Sequence, residues 1–151
     1  MTIAQTAPTA LELSYGELYA RVQHFYAHHM HLLDSGAAEQ WAATFTEDGV
    51  FAPPSAPEPI AGRRALAEGA REAKQRLDEI GEQHRHVLVS LALDPADADG
   101  VLTARTYAQV IATPRGGAPR LDMMCVTHDQ LVVRDGEVLL RHRRVTRDDR
   151  P

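Results

Sequence analysis

A chain of 151 residues with 44% hydrophobic and 25% charged side chains suits one domain whose core needs no disulfide or metal to hold it. Its net charge of -5, with Lys and Arg scattered rather than blocked, argues against a nucleic-acid surface. The single cysteine, Cys125, excludes an internal disulfide and a cysteine metal cluster, and fits a reducing cytoplasm.

No run reaches the length of a membrane span, and the start "MTIAQTAPTA" has neither the basic opening nor the apolar stretch of a secretory signal. A cytoplasmic protein with no membrane and no nucleic-acid partner is expected, with residues 1–12 disordered or loosely attached and residues 13–151 forming the domain. A helix from Leu13 to Leu33 follows from Leu18, Val22, Phe25, His29 and Leu32, which recur at four-three spacing as a buried stripe widened by Tyr15, Tyr19 and Tyr26. Ser35 and Gly36 break it, a short helix carries Trp41 and Phe45, and Asp48-Gly49 turns into a brief strand at Val50 and Phe51. "APPSAPEPIAG" holds four of the nine prolines and reads as an irregular loop, since proline cannot donate to a ladder.

A third helix, Gly62 to about Ile80, presents Leu66, Ala70, Ala73, Leu77 and Ile80 on one side. From His84 the period changes to two, in runs 84–93, 101–113, 121–134 and 137–147, the last pair joined by Asp135-Gly136, a tight-hairpin signal. Three helices ahead of an antiparallel meander predict an α+β fold in which the helices cover one face of a curled sheet. Strands this long must twist, and a curled sheet closed by helices encloses a concavity.

"QHRHVLVSL", residues 83–91, places His84 and His86 on one face of a strand. Unbroken alternation puts Leu88, Ser90 and Ala92 on that face and Val87, Val89 and Leu91 on the other. His86 is then either a satisfied core histidine or a proton carrier in a cavity, and His84, nearer the strand end, is expected in solvent. Asp34 needs only turn chemistry to explain it. In "HFYAHHMH", His24 and His28 stand four apart, as in zinc sites, but they share the stripe of Glu17, Arg21 and His31. That is the solvent side, so no metal is expected.

The stretches "LLDSGAAEQWAATFTEDGVF", "PIAGRRALAEGA", "HRHVLVSLAL" and "HDQLVVRDGEVLLRHRRV", in this order and spacing, resemble the nuclear-transport-factor-2-like superfamily, and within it the SnoaL-like polyketide cyclase and scytalone dehydratase branch. "RTYAQVIATPRGGAPRL" and "RRVTRDD" are similar to small accessory proteins of aromatic polyketide clusters. The resemblance implies a cone-shaped α+β domain with a pocket between sheet and helices, into which Asp34 and His86 point as a catalytic pair. It further implies that Met123, Cys125 and Thr127 face inward on the third long strand, and Val138, Leu140 and His142 on the fourth, with Arg141 and Arg143 outward. Tyr26, His29, Trp41, Phe51 and Leu88 complete the expected substrate-binding set. Scytalone dehydratase has a second pocket histidine directly after a tyrosine, whereas the equivalent pair here is Tyr107-Ala108; His142 is its one candidate replacement.

Three functions follow as expectations. The first is an enzyme without cofactor that cyclises, dehydrates or isomerises a small aromatic, polyketide-like intermediate by moving protons. The second is a non-catalytic binding or accessory protein, and the third is the small subunit of a ring-hydroxylating oxygenase. A homodimer through the outer face of the long strands is expected from the apolar row Val87, Val89 and Leu91, which would otherwise meet water.

Overall fold

A computed structural model describes residues 4 and 6–150. Helix α1, Tyr15–Ser35, starts at a capping box in which Ser14 and Glu17 satisfy each other's backbone N–H groups, and ends at Gly36 in the left-handed conformation (φ 83°). Helix α2, Ala38–Ala43, is one short piece bearing Trp41; Phe45, expected on it, instead opens strand β1, Phe45–Ala52. Strand β2, Ile60–Ala61, lies at the end of the proline-rich segment and pairs with β1, a strand the prolines concealed. Helix α3, Arg63–Ile80, precedes the four long strands: β3, Glu82–Leu93; β4, Leu102–Pro114; β5, Arg120–Arg134; and β6, Glu137–Arg147. They form one curled sheet in the order β2-β1-β6-β5-β4-β3, antiparallel except where β1 runs parallel to β6. Asp135 (φ 51°) and Gly136 (φ 77°) are both left-handed, which is the two-residue hairpin their sequence predicts.

The core lies between the helices and the inner face of the sheet. Leu18, Val22 and Phe25 of α1 pack with Trp41, Phe45, Leu66, Leu102, Leu131 and Leu140. Tyr15 is half exposed but ties the start of α1 to the end of β3 through a hydroxyl bond to the Leu93 carbonyl at 2.8 Å. Of the first twelve residues, Ala10 is 4% exposed and belongs to the core.

The register shifts in four strand pairs, and the shifts in β3 and β6 overturn the expected facing of several residues, because one extra residue reverses alternation for everything beyond it. In β3 the pairing passes from Val89↔Tyr107 to Ala92↔Arg105, with Ser90 at φ 55°. Ser90 and Ala92 therefore face solvent, and Leu91, expected outside, packs against the core. In β5 the pairing jumps from Val110↔Met123 to Ile111↔Leu121. In β6 it jumps from Leu131↔Leu140 to Gln130↔His142, leaving Arg141 as the extra residue. Beyond it Arg143 is inward and 2% exposed, against the expectation, and His142 lies on the opposite side.

Leu140, expected to contact substrate, is fully buried in this core. Leu140→Ala should cost about 2–5 kcal/mol, read as a lower urea midpoint at unchanged slope; a loss within experimental error would mean that the side chain is not a core element.

Candidate active site

Between the curled sheet and the helices lies a cavity of about 500 Å³. Trp41, Phe51, Leu66, Leu88, Val110 and Met123 make most of its wall apolar, and Pro53, Pro54, Ser55 and Ala56 of the proline-rich loop border it. From sequence alone that loop reads only as a spacer. An apolar hollow with a few converging polar groups is the usual form of a small-molecule site.

Asp34 and His86 meet on one wall. The carboxylate accepts the His86 backbone N–H at 2.9 Å on Oδ2 and the imidazole Nδ1 at 2.6 Å on Oδ1. A carboxylate can only accept, so Nδ1 carries a proton, and in the neutral ring Nε2 keeps its lone pair. The Asp34 side chain is 7% exposed and that of His86 30%, so the ring reaches the cavity while its anchor stays buried. The Gln83 amide also donates to the Asp34 carbonyl, at 3.2 Å, tying the same helix end to β3. His84, expected in solvent, borders the cavity, with Nε2 3.1 Å from Glu82, which also holds Arg120.

Trp41, Phe51, Leu88, Met123, Cys125 and Thr127 border the cavity, whereas Tyr26, His29, Leu140 and His142 do not. Burial pushes the Cys125 thiol up, which leaves it un-ionised and unsuited to nucleophilic attack. Ala108, at the place of the absent second histidine, does face the cavity. Among the described residues no group of three or more metal-ligating side chains comes together, and no helix is long and apolar enough to cross a membrane.

Sequence reading missed the group at the floor. Arg143 borders the cavity and donates to both oxygens of Asp129, at 2.9 and 2.8 Å. The Tyr26 hydroxyl donates to the same carboxylate at 2.7 Å. Arg143 Nη1 also donates to His29 Nε2 at 2.9 Å, so His29 is neutral and its Nδ1 proton goes to Thr44 Oγ1 at 2.6 Å. Burial, the Arg143 guanidinium and the nearby His86 ring hold His29 well below its ordinary range. Burial and the Asp129 charge push the Tyr26 phenol far up. The signal in the sequence was Asp129 itself, an acid that alternation places on the same strand face as Cys125 and Thr127, where it needs a buried partner.

A SnoaL-like domain model matches residues 15–144. Aln2 from a Streptomyces species superposes with a TM-score of 0.82 at 34% identity, covering 91% of this chain and 95% of that one. ActVI-ORFA from Streptomyces coelicolor gives 0.78 at 36%, covering 87% and 98%. A Catenulispora acidiphila protein in complex with S-DNPA gives 0.76 at 36%, covering 89% and 96%. The beta subunit of a putative aromatic-ring-hydroxylating dioxygenase from Novosphingobium aromaticivorans gives 0.70 at 19%, covering 89% and 92%, a likeness of fold alone. No curated protein matches the chain significantly.

His29 generates a pH prediction. Its folded form resists protonation, whereas the unfolded chain takes up a proton near the ordinary value of 6.5. Stability should therefore be unaffected by this group above that pH, and fall by about 1.4 kcal/mol per pH unit as pH drops below it, until the folded ring protonates. In His29→Gln the amide still accepts from Arg143 but does not titrate. Urea unfolding at pH 7.5 and 5.5 should show a smaller acid loss for the variant; equal losses would remove His29 as the cause.

Proposed function

The chain belongs to the SnoaL-like domain family, and on that premise we propose that it is an acid–base enzyme, working without a cofactor, on an aromatic, polyketide-like intermediate of secondary metabolism. The observation that carries the reading is the Asp34–His86 pair, whose 2.6 Å bond leaves the imidazole Nε2 as the proton acceptor at the cavity wall. His86 takes a proton from carbon or oxygen of the substrate, and Asp34 stabilises the imidazolium that forms and keeps the ring oriented. The largely apolar wall suits a flat hydrophobic molecule, and a relative 36% identical to this chain was solved in complex with the small molecule S-DNPA. With alanine at 108 and His142 turned away, the site lacks the second imidazole of the scytalone dehydratase arrangement. Proton transfer through His86, as in cyclisation or isomerisation, fits it better than a dehydration shared between two, because the other imidazole at the cavity, His84, is engaged by Glu82.

His86→Ala should lower turnover roughly 100- to 10,000-fold with an unchanged circular dichroism spectrum, and Asp34→Asn should lose less, because an amide fills the space but does not stabilise an imidazolium by charge. His84→Ala should lose least. A folded His86→Ala protein with full activity would leave a binding protein in place of an enzyme.

The active form is proposed to be a homodimer through the outer face of the long strands. Val87, Val89 and Tyr107 are 36%, 41% and 52% exposed there, with Val89 and Tyr107 directly paired across β3 and β4. Light scattering at micromolar concentration should give twice the chain mass, reduced to the single mass by Val89→Glu; a monomeric wild-type protein would contradict it.

A further inference from the structure

The acid–base pair leaves the cation at the cavity floor without a task. Arg143 is 2% exposed, and its hydrogen bonds to Asp129 and His29 consume three of its five N–H groups. Its surroundings admit one proton arrangement: His29 can accept from Arg143 because its own N–H is given to Thr44, whose hydroxyl in turn donates to the Trp41 carbonyl at 2.6 Å. Burying an ion pair is expensive, and a well-packed apolar pair would stabilise the fold as well or better. The sheet also carries an extra residue, Arg141, without which Arg143 would face the outside. Fold stability alone does not account for a guanidinium fixed so firmly against a ligand-sized hollow.

We propose that Arg143 is the oxygen site of the cavity, donating a remaining N–H to an anionic or charge-developing oxygen at the deep end of the ligand. The inference rests on the acid–base reading and names the chemistry of its substrate: an aromatic carbonyl compound with an ionised or enolisable oxygen. When His86 Nε2 takes a proton beside a carbonyl, the C–H electron pair moves into a C=C bond and the carbonyl π pair moves to oxygen, giving an enolate and an imidazolium. The guanidinium holds that oxygen as its charge grows, without having to reorganise. Return of the proton to carbon or oxygen of the product restores His86. Lys74 and Arg76 also border the cavity, but both sit on α3, and Lys74 is paired with Asp78.

Two probes of matched shape, 2-naphthoate and 2-naphthalenemethanol, separate these groups. Trp41, the one tryptophan of the chain, borders the cavity, so quenching of its fluorescence reports binding. The wild-type protein should bind the carboxylate roughly 10- to 100-fold more tightly than the alcohol, as a charge-assisted bond implies. In Asp129→Asn/Arg143→Gln, which leaves no unpaired charge, the two probes should bind alike, with the affinity for the alcohol unchanged. A preference that survives in the double variant would assign it to another cation such as Lys74, and no preference in the wild type would equally overturn the proposal. In both cases, binding of the alcohol shows that the cavity reading stands; if neither probe binds, both readings fall.

Should the double variant not fold, the ionisation of bound 4-nitrophenol in His86→Gln decides. Burial alone raises a phenol's pKa, whereas contact with Arg143 lowers it. A downward shift is expected, and an upward one would sink the proposal.

Discussion

The Asp34 carboxylate grips His86 at two points, and the site is organised around that grip. Asp34 stands in the last turn of α1, where the helix dipole presents its negative end and no basic residue relieves it. A carboxylate buried there needs donors, and the His86 backbone and ring supply them from a strand 52 residues further on. One interaction thus pins the end of α1 against β3, sets the tautomer of the imidazole, and fixes the direction in which its free nitrogen looks. Structural and chemical demands coincide, because the bond that offsets the burial of the carboxylate is also the one that prepares His86 to accept a proton.

Below this pair the molecule invests in a second polar assembly. Tyr26, Asp129, Arg143, His29 and Thr44 come from α1, β5, β6 and the turn before β1, and each finds partners within the group. Satisfied networks of this kind rigidify what surrounds them, while a half-satisfied one is costly. Phe25, Trp41 and Phe45 pack around the His29 ring at centroid distances of 5.3, 5.6 and 5.5 Å, excluding water from its edge. Among the described residues, the one buried side-chain polar atom without a partner is the Trp41 indole nitrogen, beside the same cavity. The polar group around Arg143 is therefore held stiffly.

Much of this was readable before the fold was known. The stripe on α1, the proline break, the change of period after residue 83 and the Asp135-Gly136 hairpin are local signals, each caused by neighbouring residues, and the elements they indicate are present with ends displaced by a few residues. Strand β2 was hidden because two residues among prolines carry no pattern of their own. His84 was assigned to solvent because position along a strand says nothing of an acid such as Glu82 standing two residues away on the same edge.

The sequence by itself determined the class of fold, the order of its elements and the chemical kinds available to a site: a carboxylate, imidazoles, an arginine and apolar surface. Only the tertiary structure decided which of them meet. Alternation is a parity rule, and a single inserted residue inverts it. Ser90 in its left-handed conformation and the extra Arg141 in β6 exchange inside for outside, turning Leu91 and Arg143 in and His142 out. Bulges depend on how two strands pair, a relation between residues far apart in the chain, so no reading of one strand alone contains them.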